Sequence, residues 1–234
     1  MLKQVQHDAG WESMPSVLIT GGNRGIGLEF ARQYSRDGWH VVATARDPSE
    51  ADDLNALKVR VEQLEMRDLD AVVSFGERIG DRLDLLIANA GTWKPERASS
   101  AEDGRAWSEM MVTNSVAPYL LARSVLDRVA EARGTMVAIT SGLSSIAQSS
   151  GGYVPYRASK AALNMAWRQL AFEVKPLGVI AAVLDPGWVR TRMGGRNAPT
   201  SPEESVGDLR RVIAGLTPEQ SGGFYKRDGS SEPW

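Results

Sequence analysis

Short apolar runs that alternate with amphipathic segments are the feature of this chain that most constrains its fold. Seven runs have the length and the apolar, β-branched or aromatic residues that are typical of strands, at residues 16–20, 40–45, 60–66, 83–89, 134–140, 178–184 and 222–226. The intervening segments place apolar residues at helical spacing, as at Leu28, Ala31 and Tyr34 after the first run. Nearly continuous apolar strands that alternate with helices predict a parallel sheet covered on both faces, which is a doubly wound α/β fold.

Chain length and composition predict one domain. With 234 residues, of which 42% are hydrophobic, the chain can bury one sizeable core. The Gly-, Pro- and Ser-rich segment 194–205 has the composition of a loop before one more helix rather than of a domain boundary. Residues 1–13 carry no clear period and precede Met14, so we expect them to be a leader or a loose tail outside a single domain at 14–234.

Charge and composition exclude several functional classes. The formal net charge is −2 with both signs interspersed, which gives no basic stripe for a nucleic acid. The chain has no cysteine, and His7 and His40 alone do not indicate a metal centre. The longest apolar runs are far shorter than the roughly 20 residues that cross a bilayer. We therefore expect a soluble protein, compatible with a reducing cytosol, without metal, nucleic-acid or membrane partners.

Three glycines follow the first predicted strand, in the sequence TGGNRGIG at residues 20–27. Gly21, Gly25 and Gly27 fall where a strand turns into a helix, so they allow a tight turn and a close approach of the backbone to a pyrophosphate. The helix N-terminus behind them favours negative charge. At this position the glycines predict a Rossmann-like nucleotide site.

Motifs along nearly the whole chain from Ser16 onward resemble those of the short-chain dehydrogenase/reductase family. They are the glycine turn, NAG at 89–91, Asn114, the serine-rich turn from Ser141, Tyr156 with Lys160, and DPGWVRT at 185–191. The segments 151–165, 194–206 and 221–234 further resemble the carbonyl-reductase branch that includes C-factor-like proteins. The resemblance implies a cytoplasmic oxidoreductase that exchanges hydride between a nicotinamide cofactor and a carbonyl compound or an alcohol.

A tyrosine and a lysine one helical turn apart form the predicted acid–base pair. A carbonyl oxygen that gains hydride develops negative charge, so it needs a nearby donor that then supplies a proton. Tyr156 stands four residues before Lys160, and the lysine charge is expected to stabilise the phenolate and lower the pKa of the tyrosine. Tyr153 stands seven residues before Lys160 with Pro155 between them, so we expect it in the loop before the helix.

The resemblance also implies a serine that hydrogen-bonds the substrate oxygen, and two positions stay open for it. Thirteen residues before Tyr156, where most members have this serine, the chain has Leu143. Matching the end of the fifth strand instead favours Ser141, with Ser144 as the alternative. Asn114 matches the family asparagine that shapes a local helix distortion and helps a water connect the lysine to solvent.

The end of the second strand indicates the type of nicotinamide cofactor. Ala45 stands where NAD-dependent relatives have an acid that bonds the ribose, Arg46 follows it, and Arg24 offers a second positive group. Because guanidinium groups suit a phosphate, NADPH (or NADP) is favoured over NAD. Asp47 is a competing ribose acid, but it stands one or two places too late and is expected to cap a turn or helix before Pro48. The resemblance implies cofactor contacts at Gly21, Asn23, Arg24, Gly25, Ile26, Gly27, Arg46, Glu65, Met66, Asn89, Ala90, Gly91, Tyr156, Lys160, Pro186, Gly187, Val189 and Thr191.

The segment 192–205 is expected to cover a small-molecule carbonyl substrate, such as a ketone, an aldehyde or a quinone. Trp93, Trp188 and Met193 are candidates for an apolar lining of that pocket. Three arginines near the segment are expected to lie on a solvated loop face, at Arg190, Arg192 and Arg196.

The resemblance leaves the assembly and one alternative function open. Many relatives pair through the segments that correspond to 101–131 and 154–175, which favours a homodimer or homotetramer, with a monomer as the alternative. The alternative to an enzyme is a nucleotide-binding regulatory or intercellular-signalling protein with little turnover.

Overall fold

The computed structural model describes residues 14–80, 82–94 and 97–234, which contain one seven-stranded sheet. Its strands are β1 (Ser16–Ile19), β2 (His40–Ala45), β3 (Arg60–Gln63), β4 (Leu85–Ala88), β5 (Thr135–Ile139), β6 (Ile180–Asp185) and β7 (Phe224–Lys226). All the strand pairs are parallel, in the order β3-β2-β1-β4-β5-β6-β7. Each predicted run overlaps one of these strands, and the predicted α/β fold is confirmed.

The strand order reverses at β1. This strand pairs on one side with β2, where Val17 lies opposite Val41, and on the other side with β4, where Val17 lies opposite Leu85. In open α/β sheets a ligand binds outside the carboxyl ends of the strands at such a reversal. The glycine turn follows β1 and therefore lies at this crevice.

Helices cover both faces of the sheet. They are α1 (Gly25–Arg36), α2 (Asp52–Asn55), α3 (Leu69–Ser74), α4 (Ala101–Met111), α5 (Ala117–Ser124), α6 (Leu126–Ala132), α7 (Val154–Val174) and α8 (Pro202–Gly215). A π-helical segment at Val112–Val116 joins α4 to α5. α1 packs against α8 on one face, and α5 packs against α3 and α7 on the other.

Two apolar cores flank the sheet, and β1 contributes to both. Leu18 packs in the core that contains Trp167 of α7, whereas Val17 packs in the core that contains Phe30 of α1 and Leu209 of α8. Each of these side chains is almost fully buried, and such burial stabilises a fold by roughly 1.5 to 3 kcal/mol per large aliphatic side chain. The sheet is therefore a rigid base for the loops at its carboxyl edge.

Several element boundaries differ from the sequence prediction, as at β3 and at the loop before α8. β3 ends at Gln63 rather than at residue 66, because it is an edge strand with half of its residues exposed. The predicted loop 194–205 ends at Ser201, since the Ser201 hydroxyl accepts a hydrogen bond from the Glu204 N–H at 3.2 Å and Pro202 occupies the first helical turn.

The predicted leader at 1–13 lies outside the described residues. Among the helices that the structure describes, each is too short or too polar to cross a bilayer. The described His, Asp and Glu side chains form no group of three that could hold a metal ion.

Candidate active site

A cavity of about 960 Å³ lies at the carboxyl edge of the sheet. Ligand pockets typically have volumes of roughly 300 to 1,000 Å³, so its size suits a large organic ligand. Most of the predicted site residues line it, namely Gly21, Asn23, Arg24, Gly25, Ile26, Arg46, Glu65, Met66, Asn89, Ala90, Gly91, Ser141, Tyr156, Lys160, Pro186, Gly187, Val189 and Thr191. Gly27 and Asn114 do not line the cavity. Gly27 packs against Gly21, and Asn114 hydrogen-bonds Thr92 and Ser159.

The glycine turn has the backbone shape that its sequence predicts. Gly21 and Gly25 have φ values of +67° and +57°, a region that favours glycine. A Cβ atom added to Gly27 would lie 2.2 Å from the carbonyl oxygen of Gly21, so only glycine fits behind the turn. Gly25 and Ile26 begin α1 and line the cavity, which presents N–H groups of the helix N-terminus to a bound anion.

Thr20 and Asn89 connect the glycine turn to the end of β4. The Thr20 hydroxyl accepts hydrogen bonds from the backbone N–H groups of Asn89 and Ala90, both at 3.0 Å. The Asn89 amide donates to the carbonyl oxygen of Thr20 at 2.9 Å and to that of Gly21 at 3.3 Å. The predicted NAG motif therefore holds the turn from behind as well as lining the cavity.

Tyr156 and Lys160 lie one turn apart on α7. The Lys160 ammonium donates to the carbonyl oxygen of Ile139 at 2.8 Å, and burial lowers the pKa of Lys160 to about 8. Burial raises the pKa of Tyr156 to about 12. A hydrogen bond with Ser141 opposes this rise, whereas the negative charge of Asp185 adds to it. The expected lowering of the Tyr156 pKa by Lys160 is not found, because burial of the phenol is the largest influence.

Ser141 rather than Ser144 faces Tyr156. Ser141 lines the cavity and hydrogen-bonds the phenol. Ser144 is buried, where its Oγ accepts from the Asn164 amide at 2.8 Å and from the Thr140 hydroxyl at 3.3 Å. Of the two alternatives that the sequence leaves open, the geometry therefore favours Ser141.

Asn114 is buried at the centre of the π-helical segment Val112–Val116, where the local helix distortion was expected. Its Oδ1 accepts from the Thr92 N–H at 2.8 Å, and its Nδ2 donates to the Thr92 carbonyl at 2.7 Å and to the Ser159 hydroxyl at 2.9 Å. The side chain therefore ties the loop that follows β4 to α7, next to Lys160.

Three arginines converge at one end of the cavity. Arg24, Arg46 and Arg192 all line it, and partial burial, together with the charges of Arg192 and Arg46, lowers the pKa of Arg24. Arg24 therefore lies near both other guanidinium groups, and such a positive cluster suits a multiply charged anion. Asp47, the competing acid, caps a turn instead, since its Oδ1 accepts from the Ser49 N–H at 2.9 Å.

Glu65 and Met66 line the cavity beyond this arginine cluster. Met66 is buried, and Glu65 lies 3.5 Å from the guanidinium group of Arg67. Arg67 also donates to Glu109 of α4 at 2.8 Å. These contacts place an apolar wall and an ion pair at the same end of the cavity.

Aromatic and apolar side chains also line the cavity. Trp93 and Tyr153 lie with ring centroids 6.2 Å apart, and Leu143 and Met193 line the same cavity. Tyr153 precedes α7 with a φ of +50°, which confirms its predicted place in the loop before the helix. Trp188 also lines the cavity, and its indole N–H donates to the Gly194 carbonyl at 2.7 Å.

Residues 15–201 match the sequence profile of the short chain dehydrogenase family. The chain belongs to this family.

Similar proteins agree with this assignment. C-signal of Myxococcus xanthus is 37% identical over 154 residues, which cover 65% of this chain and 93% of that protein. The carbonyl reductase Sniffer of D. melanogaster has a TM-score of 0.87 at 29% identity, over 94% of this chain and 100% of Sniffer. A carbonyl reductase from Pseudomonas aeruginosa PAO1 in complex with NADP has a TM-score of 0.83 at 34% identity, over 95% and 100% of the two chains.

The cavity fits the dinucleotide of a short-chain dehydrogenase. A Cβ atom on Gly21 would lie 3.0 Å from the Cα atom of Ala90, and one on Gly91 would lie 3.3 Å from Asn114 Oδ1 and 3.6 Å from Lys160 Nζ. Glycine at these positions lets the two turns at the cavity wall pack closely against Ala90, Asn114 and Lys160. The helix N-terminus and the arginine cluster supply positive charge for its phosphates.

Three residues that line or support the candidate active site were not predicted as site residues from the sequence. Thr20 ends the first predicted strand, Asp185 begins the DPGWVRT motif, and Arg192 was expected on a solvated loop face. Their roles depend on partners in other segments: Asn89 for Thr20, Gly142 for Asp185 and Arg24 for Arg192. Asp185 could have been predicted from the sequence, because it is an acidic residue at the end of an apolar strand whose carboxyl end faces the site.

Proposed function

We propose that this protein is an NADPH-dependent carbonyl reductase that reduces a ketone, an aldehyde or a quinone to an alcohol. The observation that carries the proposal is the meeting of Tyr156, Ser141 and Lys160 in the cavity that the glycine turn also lines. The similarity to carbonyl reductases, including one in complex with NADP, supports it.

The cofactor, when bound, supplies the hydride. Ser141 donates a hydrogen bond to the substrate oxygen, and Tyr156 donates its phenolic proton to the same oxygen as negative charge develops there. Because burial raises the pKa of Tyr156 to about 12, the phenol is fully protonated at neutral pH. Lys160, whose pKa burial lowers to about 8, exchanges protons near neutral pH and returns one to the phenolate.

Asn114 supports this pair by holding the backbone of Thr92 against Ser159 of α7. Ser159 directly precedes Lys160, so these hydrogen bonds restrict the position of the lysine in the cavity wall. The π-helical segment provides the local geometry that brings the Asn114 amide to both partners.

The preference for NADPH rests on the arginine cluster. Arg46 follows β2, where the ribose of the adenosine half lies in this fold class, and Arg24 and Arg192 approach from the glycine turn and from the segment after β6. Guanidinium groups bind a phosphate through charged and often bidentate hydrogen bonds. A 2′-phosphate would relieve the repulsion among the three groups, whereas a free ribose hydroxyl would not.

The test is NADPH oxidation by the purified protein with a panel of ketones, aldehydes and quinones. Tyr156→Phe should lower kcat by about 10²- to 10⁴-fold, because the proton donor is lost, and should leave the Kd for NADP unchanged. Tyr119→Phe is the matched control, since Tyr119 contacts Glu173 at 3.4 Å outside the site. Undiminished turnover in Tyr156→Phe would contradict the assigned proton donor.

A regulatory function is the second candidate, and the 37% identity to C-signal is the observation that favours it. In that case the protein binds NADPH tightly but turns over no compound of the panel. Retention of all four predicted catalytic side chains, Asn114, Ser141, Tyr156 and Lys160, favours the enzyme.

A further inference from the structure

Trp93 and Tyr153 bring two aromatic rings together at the cavity wall from separate segments of the chain. Their ring centroids lie 6.2 Å apart with the ring planes tilted by 40°, and both residues line the cavity. Tyr153 is 44% exposed, and Trp93 is half-buried. Burial of these two residues, here the aromatic pair, is therefore incomplete, and ring surface stays open to a ligand in the cavity.

Trp93 is carried to this wall by a segment that borders the lysine of the acid–base pair. The Thr92 N–H donates to Asn114 Oδ1 at 2.8 Å, and Asn114 Nδ2 donates to the Thr92 carbonyl at 2.7 Å. Gly91 lies so close to Lys160 that a Cβ atom on it would be 3.6 Å from Lys160 Nζ. The indole of Trp93 thus follows directly after two residues that are fixed beside the reacting groups.

Tyr153 is held by a turn directly before α7. Gly151, Gly152 and Tyr153 have φ values of +87°, +73° and +50°, so three consecutive residues have a positive φ. Glycine adopts such angles freely, whereas a tyrosine is strained there. Strained residues persist where the surrounding structure holds them, and they cluster at ligand sites. This turn places Tyr153 in the cavity wall, three residues before Tyr156.

Arg157 fastens the turn to the serine loop (Ser141–Ser144). Its Nε donates to the Gly152 carbonyl at 3.0 Å, and its Nη1 donates to the Leu143 carbonyl at 3.1 Å. Leu143 also lines the cavity and adds an apolar side chain to the same wall. Because these hydrogen bonds fix the backbone around Tyr153, little conformational freedom is lost when a ligand packs on its ring.

We propose that the aromatic pair selects a carbonyl compound whose carbonyl group is attached to an aromatic ring, which makes Trp93 and Tyr153 specificity-determining residues. The inference rests on the proposed carbonyl reduction for its catalytic meaning, but the selection of the ring needs no turnover. An aromatic ring gains face and edge interactions with both members of the pair beyond the area that it buries. A saturated ring of the same size gains only the buried area.

Acetophenone and cyclohexyl methyl ketone are the probes, because they share the methyl ketone and differ in whether the six-membered ring is aromatic. With the wild type saturated with NADP, ligand-observed NMR titration should give a Kd for acetophenone about tenfold lower than that for cyclohexyl methyl ketone. NADP is the oxidised cofactor and carries no hydride, so this measurement is independent of turnover. Equal affinities, or binding of neither ketone, would overturn the proposal.

Trp93→Leu and Tyr153→Leu test the two rings. Each should raise the Kd for acetophenone about threefold to tenfold and that for cyclohexyl methyl ketone less than about twofold, because leucine keeps an apolar side chain. In an active enzyme the KM for acetophenone should rise with kcat unchanged, since the ring contact is equally strong in the ground state and the transition state. Equal losses for the two ketones would show general packing and overturn ring selection.

Tyr153→Phe separates the ring from the stability of the turn. The Tyr153 hydroxyl makes no hydrogen bond to any residue that the structure describes, so phenylalanine keeps the ring and removes no such contact. Both Kd values should stay at the wild-type level. Trp93→Phe serves if Trp93→Leu does not fold, and it should retain a preference for acetophenone. Loss of the preference in Tyr153→Phe contradicts selection by the ring.

Phe172→Leu is the matched control, because Phe172 is an exposed aromatic residue of α7 that does not line the cavity. We expect both Kd values to be unchanged, and a lost preference in this variant would show that the selection does not arise at the aromatic pair. Failure of the proposed function alone has a different signature. The wild type would then reduce neither ketone with NADPH, yet it would bind acetophenone preferentially through Trp93 and Tyr153, which supports ring selection and contradicts only the reduction.

Discussion

Lys160 Nζ lies 2.8 Å from the carbonyl oxygen of Ile139, to which it donates a hydrogen bond across the interface between α7 and β5. The ammonium group is almost fully buried, and this burial lowers its pKa from 10.5 to about 8. The sequence predicts that Lys160 lowers the pKa of Tyr156. In the structure, the pKa of Lys160 itself is lowered, to about 8, which is close to neutral pH.

The first prediction concerns stability against pH. Because the folded-state pKa of Lys160 is depressed, the unfolded chain binds more protons between pH 8 and pH 10.5, and stability rises with pH across that window. Relative to Lys160→Met, the wild-type free energy of unfolding should rise by up to about 3 kcal/mol from pH 8 to pH 10.5. Urea unfolding of both proteins at several pH values measures this; parallel profiles would show that Lys160 is not desolvated.

The second prediction separates the two serines. Ser141→Ala removes the donor to the substrate oxygen, so kcat should fall by about 10²-fold or more while the melting temperature changes little. Ser144→Ala leaves the buried Asn164 amide without its acceptor, which should lower stability by about 1 to 3 kcal/mol and retain turnover. Steady-state kinetics and thermal melting of both variants test the assignment. The opposite pattern would identify Ser144 as the substrate contact.

The third prediction concerns cofactor choice. Arg46→Ala should raise the Kd for NADPH about tenfold or more through the loss of a charged hydrogen bond, and that for NADH much less. Arg192→Ala should act in the same direction, although the sequence placed this residue on a solvated face. Arg36→Ala is the control, because Arg36 pairs with Asp37 at 3.3 Å at the far end of α1. Calorimetric titration measures the affinities, and equal losses for NADPH and NADH would exclude a 2′-phosphate contact.

The fourth prediction tests the glycine turn. Gly27→Ala places a Cβ atom 2.2 Å from the Gly21 carbonyl oxygen, so the turn must shift and NADP binding should be lost. Gly207→Ala in α8 is the matched control, since nothing lies within 4 Å of its added Cβ atom. That change should stabilise the protein by about 1 kcal/mol, because alanine favours helix. Wild-type nucleotide affinity in Gly27→Ala would show that the turn tolerates the displacement.

The sequence by itself determined the features that depend on local spacing. Seven apolar runs predicted the seven strands, because a parallel sheet buried on both faces requires continuous apolar residues. The four-residue separation of Tyr156 and Lys160 placed both on one face of α7, since that is one helical turn. The glycines at 21, 25 and 27 predicted the turn, because their backbone angles and close contacts admit no side chain.

Only the tertiary structure decided the features that depend on contacts between distant segments. The sequence favours Ser141 but leaves Ser144 open, and Asn164 of α7 separates them by holding Ser144 in the core. The pKa of Tyr156 is raised rather than lowered, because burial of the phenol is its largest cause and outweighs the hydrogen bond with Ser141. Asp185 bridges Gly142 and Gly187 only once β5 and β6 lie side by side. Chain folding brings such partners together across the sheet, so neither periodicity nor spacing along the chain records them.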